Sequence, residues 1–177
     1  MYLSAAEIAA RVRELGLEIA SDYAGREPLL VAPLKSSAVF LADLSRALPI
    51  LHTIDVIELA GYGDGRRGGV RLLTDLVTPI EGRDVLLVED VVDTGLTLGY
   101  LNRTLSERNP SSIAAVTLLD RPYRRLVEHL GLRYVGFTVP DELFSGYGLG
   151  LEEQWRALPD LHFVPAIALP AAANDAA

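Results

Sequence analysis

Apolar positions along this chain follow two rhythms that alternate. Ile8, Val12, Leu15 and Ile19 recur at helical intervals, and Ser4 with Glu7 has capping-box spacing just ahead of them. An amphipathic helix is therefore predicted from Ser4, ending before Gly25. Apolar runs follow at 28–34 (with Pro33 near its end), 54–59, 85–88, 113–119 and 134–137. Runs of this length fit strands buried on both faces, as in a parallel sheet. Helical spacing returns between them. Phe40, Leu41, Leu44 and Leu48 follow a polar Lys35-Ser36-Ser37 turn, and Leu98, Leu101 and Leu105 lead to a stop near Asn109-Pro110. A glycine-dense window from Gly61 to Gly69 predicts a mobile loop or hairpin, with a returning strand at 70–76 and a turn at Glu81-Gly82. A glycine-rich turn at 145–150, a short helix around 152–158 and a last strand near 162–164 complete the expectation. The fold class is α/β, a mainly parallel sheet flanked by helices, with the glycine-rich excursion and the C-terminal piece covering the strand ends.

The 177 residues fit a single domain over 1–168, followed by an alanine-rich tail, 169–177, read as disordered. Half the residues are hydrophobic, enough for a full core. A formal net charge of −8 argues against nucleic acid held on a broad basic face. The absence of cysteine excludes disulfides and thiolate metal sites, and fits a cytoplasmic address. No stretch has the length of a membrane span, and the N-terminus lacks the pattern of a secretory signal.

Candidate chemistry concentrates in one stretch. The run Val85-Leu86-Leu87-Val88 leads straight into Glu89-Asp90, then Val91-Val92-Asp93 and Thr94-Gly95-Leu96-Thr97. Paired carboxylates at the carboxyl end of a strand can accept hydrogen bonds from vicinal hydroxyls, or hold Mg²⁺. The hydroxyls and bare backbone of Thr94, Gly95 and Thr97 at a helix start form an anion site. Asp93 lies between them, either as a proton acceptor and donor or as a helix N-cap. Lys35-Ser36-Ser37 repeats the strand-turn-helix pattern and is a second candidate anion loop. Neither the G-x-x-x-x-G-K-[ST] motif nor a strand-to-helix G-x-G-x-x-G is present, which removes the usual signals of nucleotide hydrolysis and hydride transfer.

The segment Glu89-Asp90-Val91-Val92-Asp93-Thr94-Gly95-Leu96-Thr97 resembles the signature of type I phosphoribosyltransferases, which bind 5-phosphoribosyl 1-diphosphate. DYAGREPLLVAPLKSSAVFLADLSRAL, VRLLTDLVTPIEGRDVLLVEDVVDTGLTL, NPSSIAAVTLLDRP and YVGFTVPDE resemble, in order and spacing, the hypoxanthine-guanine phosphoribosyltransferases, from about Ser4 to Val164. The resemblance implies the type I fold with a small hood and a flexible closing loop. It implies Glu89 and Asp90 on the ribose hydroxyls and a Mg²⁺, and Asp93 near purine N7 as the general acid/base. Thr94, Gly95, Leu96 and Thr97 would surround the 5′-phosphate. Lys35 and Ser36 would lie in a diphosphate loop, where a cis peptide turns the backbone toward diphosphate. Tyr62 falls in the closing loop, Arg156 matches an arginine that reaches diphosphate, and Arg125 one near the same site or a subunit contact. A homodimer or homotetramer is implied as well.

Departures from the family pattern cluster on the base and metal side. The lysine that donates to the purine 6-oxo group is Arg121 here, and the stacking aromatic falls at Leu143, with Phe144 one residue later. An aspartate near diphosphate is Gly150, with Glu152 and Glu153 close by, and a Ser-Tyr pair reads Gly61-Tyr62. Ser36 replaces a glycine. The leading expectation is phosphoribosyl transfer to hypoxanthine or guanine in purine salvage. Altered base specificity, or a non-catalytic sensor of the sugar diphosphate or a nucleotide, are the alternatives.

Overall fold

The computed structural model describes residues 1–62, 69–150 and 154–164. Helix α1 (Ala5–Asp22) opens on the predicted capping box: the Ser4 hydroxyl accepts from the Glu7 amide, and the Glu7 carboxylate accepts from the Ser4 amide at 2.8 Å. Strand β1 (Leu29–Leu34) follows, then α2 (Ala38–Ala47), β2 (Thr53–Tyr62), β3 (Gly69–Thr74), β4 (Asp84–Val92), α3 (Leu96–Ser106), β5 (Ser112–Asp120) and β6 (Leu132–Thr138). Two short strands, β7 (Phe144–Ser145) and β8 (His162–Phe163), pair antiparallel as a separate ribbon.

The six long strands form one sheet in the order β3-β2-β1-β4-β5-β6, parallel except for β3. Each buried strand feeds both faces, because successive side chains point to opposite sides. Leu30, Ala32, Leu86 and Val88 pack with Ile8, Val12 and Leu15 of α1 and Phe40 and Leu44 of α2. Their neighbours Leu29, Val31, Val85 and Leu87 pack with Leu98, Leu101 and Leu105 of α3 on the other face. That explains the apolar runs.

From β1 the chain winds through α2 to β2 on one side, and from β4 through α3 to β5 on the other. The neighbours β1 and β4 are thus the point where the winding reverses, and a crevice opens beyond their carboxyl ends. Their pairing ends at Val31 opposite Leu87.

Two expectations change. Residues 154–158 form a bridge and turn where a short helix is predicted, stitched by Tyr147 N–H to Leu158 O at 2.7 Å and Gly148 N–H to Arg156 O at 2.9 Å. The glycine-rich 145–150 segment needs backbone partners that a helix would keep to itself. A 3-10 turn at Pro122–Arg124, not foreseen in the sequence, carries the chain out of β5. The predicted loop residues 63–68, the acids Glu152 and Glu153, and the tail lie outside the described residues.

Candidate functional site

The crevice between β1 and β4 is a cleft of about 410 Å³, whose lining includes Ser36, Glu89, Asp90, Thr97, Gly150 and Arg156. A second hollow of about 220 Å³ adjoins it through Glu89 and Thr97, and is floored by Asp93, Thr94 and Gly95. Two sequence-distant loops therefore meet the signature stretch at one mouth.

Glu89 and Asp90 are both buried, and Glu89 Oε1 and Asp90 Oδ2 have no hydrogen-bond partner among the described residues. Burial pushes the Glu89 carboxyl well above its ordinary range, and the neighbouring Asp90 charge adds to this. Burial also raises Asp90, opposed by the hydroxyls of Ser36 and Ser37 and by the Val91 amide. Two buried carboxylates with unmatched oxygens form a site short of positive charge or hydroxyl donors. They fit a hard divalent cation whose remaining ligands come from substrate and water, because hard cations favour oxygen. Among the described residues no group of three or more acidic or histidine side chains gathers into a complete cage.

Beyond Asp93 the chain turns into α3 through Gly95, whose φ of +81° lies in the left-handed region. That conformation favours glycine, and a Cβ there would also press the Leu130 side chain at 2.8 Å. The first amides of α3 have no partner inside the helix, and the hollow beside them is lined by Thr94, Gly95 and the exposed Thr97. Thr94 Oγ1 lies 3.4 Å from the Leu96 amide. This is an anion cradle on a helix N-terminus. Arg125, expected near diphosphate or a subunit contact, pairs with Asp120 and packs its stem beneath Gly95.

Lys35 is exposed on the other loop, and the Leu34–Lys35 peptide is cis, as the resemblance implies. Arg156 donates to Gly148 O at 2.7 Å and lies over Gly150, where a Cβ would come within 2.9 Å of the guanidinium. An aspartate at 150 would occupy the space this arginine fills.

On the base side, Arg121 is only 5 % exposed. Its guanidinium donates to Asp93 Oδ2 at 3.0 Å and to the Glu142 carbonyl at 2.6 Å, with Asp141 at 3.7 Å. Asp93 Oδ1 and Arg121 Nε stay buried without partners among the described residues. Phe144 turns from this pocket: its ring packs on Tyr2 at 4.9 Å and on Phe163 at 5.3 Å between centroids. Leu143 is 39 % exposed, and of the two it is the one with an open side chain. Tyr62 ends β2, and its side chain lies outside the described residues.

Sequence reasoning passed over two participants. Ser37 belongs there to the candidate anion loop and has no role of its own, yet its hydroxyl reaches Asp90; the tandem serines were the available signal. The Glu142 carbonyl had none, since any residue supplies a carbonyl.

A model of the phosphoribosyl transferase domain family matches residues 1–149. The chain is 43 % identical over 166 residues to a hypoxanthine-guanine phosphoribosyltransferase of Mycobacterium avium, covering 89 % of this chain and 81 % of the relative. It is 42 % identical over 158 residues to a hypoxanthine phosphoribosyltransferase of Salmonella typhimurium, covering 87 % and 88 %. A crystal structure of a hypoxanthine-guanine phosphoribosyltransferase from Bacillus anthracis superposes with a TM-score of 0.89 at 40 % identity, covering 93 % of this chain and 97 % of that one.

Proposed function

Since this chain belongs to the hypoxanthine-guanine phosphoribosyltransferase family, we propose that it transfers the phosphoribosyl group of 5-phosphoribosyl 1-diphosphate to hypoxanthine or guanine. The products are the nucleoside monophosphate and diphosphate, a purine-salvage reaction.

The observation that carries the choice of base is the Asp93–Arg121 pair. It leaves one acceptor, Asp93 Oδ1, and one donor, Arg121 Nε, unmatched on two touching side chains. A 6-oxopurine offers the complement on one edge, an oxo group that accepts and a neighbouring N7–H that donates. Adenine presents an amino donor where the oxo group would be, and a buried donor facing a donor is costly. Arginine in place of lysine retains the charge and adds a forked geometry.

The parts suit the reaction. The bond from the anomeric carbon to diphosphate breaks, positive charge grows on the ribose, and a purine nitrogen closes the new bond. Asp93 takes the N7 proton as the base becomes bonded, while Arg121 holds the charge on its oxo group. Thr94 to Thr97 anchor the 5′-phosphate through hydroxyls and helix amides, which fixes the ribose for in-line attack. Lys35, Ser36 and Arg156 surround the diphosphate end, and Glu89 and Asp90 accept from the ribose hydroxyls. The two carboxylates would also hold Mg²⁺, which supplies Lewis-acid stabilisation of the leaving diphosphate. Tyr62 would close over the reacting centre and exclude water. A cytoplasmic address and a homodimer or homotetramer belong to the same proposal; among the described residues no helix is long and apolar enough to cross a membrane.

The test follows nucleotide formation from hypoxanthine, guanine, xanthine and adenine in turn, with the sugar diphosphate and Mg²⁺. Product from the first two and none from adenine is expected. Preference for adenine would overturn the base assignment. No product from any base, with measurable binding of the sugar diphosphate, would replace the enzyme by a sensor of the same fold.

A further inference from the structure

Ser37 occupies the N-cap position of α2, where a serine ordinarily bonds an amide of the helix's first turn. It makes no such bond, and its φ of −72° and ψ of −8° are already helical. The side chain is 0 % exposed. Its hydroxyl is directed across the crevice: Ser37 Oγ donates to Asp90 Oδ1 at 3.1 Å and accepts from the Asp90 amide at 3.2 Å. Both capacities of the hydroxyl are spent on one residue, 53 positions away in the chain.

The reason lies in the sheet. Pairing between β1 and β4 ends at Val31 and Leu87, so the ladder has run out before Asp90. A buried amide there still requires an acceptor. Ser37 supplies it where β1 has diverged, and the same hydroxyl fixes one carboxylate oxygen. The other, Asp90 Oδ2, is left without a partner among the described residues. Ser36, one residue earlier, lies in the cleft wall.

We propose that Ser37 is a positioning residue for the sugar-diphosphate site, tying the Lys35–Ser37 turn to Asp90 so that Oδ2 alone is left for ribose hydroxyl or metal. This inference rests on the phosphoribosyl-transfer reading above. It makes the diphosphate loop and the acid pair one unit: a shift of either moves the other, whereas the base pocket at Arg121 shares no hydrogen bond with Ser37.

The test compares the native chain with Ser37→Ala and with Ser37→Cys, which nearly keeps the volume but puts a weak donor in place of the hydroxyl. Calorimetric titration with phosphoribosyl diphosphate and Mg²⁺ is read alongside the KM of each substrate. Both variants are expected to weaken sugar-diphosphate binding roughly five- to twenty-fold. The KM for hypoxanthine should stay within about twofold, since distant sites behave independently. If the alanine variant does not fold, the cysteine variant decides. Native-like binding in the cysteine variant, or an equal loss for both substrates, overturns the role of Ser37. Failure of the native chain to bind phosphoribosyl diphosphate would instead sink the functional reading itself.

Discussion

Asp93 is the residue on which sequence and geometry agree most closely, and its two readings make different demands. As an N-cap it would bond the first turn of α3. Instead it meets Arg121 at 3.0 Å, and Gly95 occupies the cap position. Asp93→Asn is therefore expected to cut turnover by about 10²–10⁴ while leaving calorimetric binding of the sugar diphosphate little changed. Unaltered turnover would remove the proton-transfer role. Glu89 makes a separate prediction. Its carboxyl is raised in the folded state by burial and by Asp90, so the folded chain holds a proton the unfolded chain releases. The associated stability is present below the ordinary glutamate value of about 4.3 and is lost as pH rises through the raised folded value. In the absence of ligand, melting temperature should fall as pH rises above about 4.3. Glu89→Gln should flatten that fall, gain on the order of 1–2 kcal/mol above the raised folded value, and bind the sugar diphosphate far more weakly. A variant that melts with the native pH dependence contradicts this origin of the instability.

Among the elements, β2 and β3 show how a loop is anchored without a helix. The Asp55 carboxylate on β2 accepts from the amides of Val77 at 3.0 Å and Thr78 at 2.7 Å, and so pins the segment after β3 back onto the sheet. Partial burial works to raise its pKa, but these amides, the Val56 amide and the Thr78 hydroxyl outweigh it, and the value is lowered. A lowered acid contributes stability above its unfolded value and loses it as pH falls through the folded one. Asp55→Ala should cost about 1–3 kcal/mol at pH 7 in urea unfolding, with the deficit shrinking below pH about 4. A deficit constant down to pH 2 would show that packing, not charge, carries the effect. The helices tell the opposite story about legibility. α1, α2 and α3 were readable because their apolar residues fall on one face. The 152–158 helix was misread because short amphipathic spacing also fits a turn whose partners, Tyr147 and Gly148, lie elsewhere.

For the whole molecule, the sheet order sets where everything chemical converges. Both anion loops leave neighbouring strands whose helices pack on opposite faces of the sheet, so a ligand in the crevice touches β1, β4 and the start of α3 together. Binding should therefore stabilise the fold as a unit. At 100 times its dissociation constant, phosphoribosyl diphosphate with Mg²⁺ adds about 2.7 kcal/mol, or roughly 5–11 °C in a chain of this size. Differential scanning fluorimetry reads this shift. A shift of the same size with diphosphate alone would place the binding energy in the Lys35 loop and not in the joined site.

By itself the sequence determined the fold class, the family resemblance and the Glu89-to-Thr97 stretch that lines the cleft and its hollow. Those features rest on local order: apolar runs, a capping box, and a Glu89-to-Thr97 stretch whose parts are contiguous. Only the tertiary structure decided what contiguity cannot encode. It set Arg121 against Asp93 and the Glu142 carbonyl, drew Phe144 into the Tyr2–Phe163 cluster, laid Arg156 over Gly150, and turned Ser37 from its helix toward Asp90. Each of these is a choice among partners distant in the chain. The order of strands and the exhaustion of the β1–β4 ladder make that choice, and neither is written in any single segment.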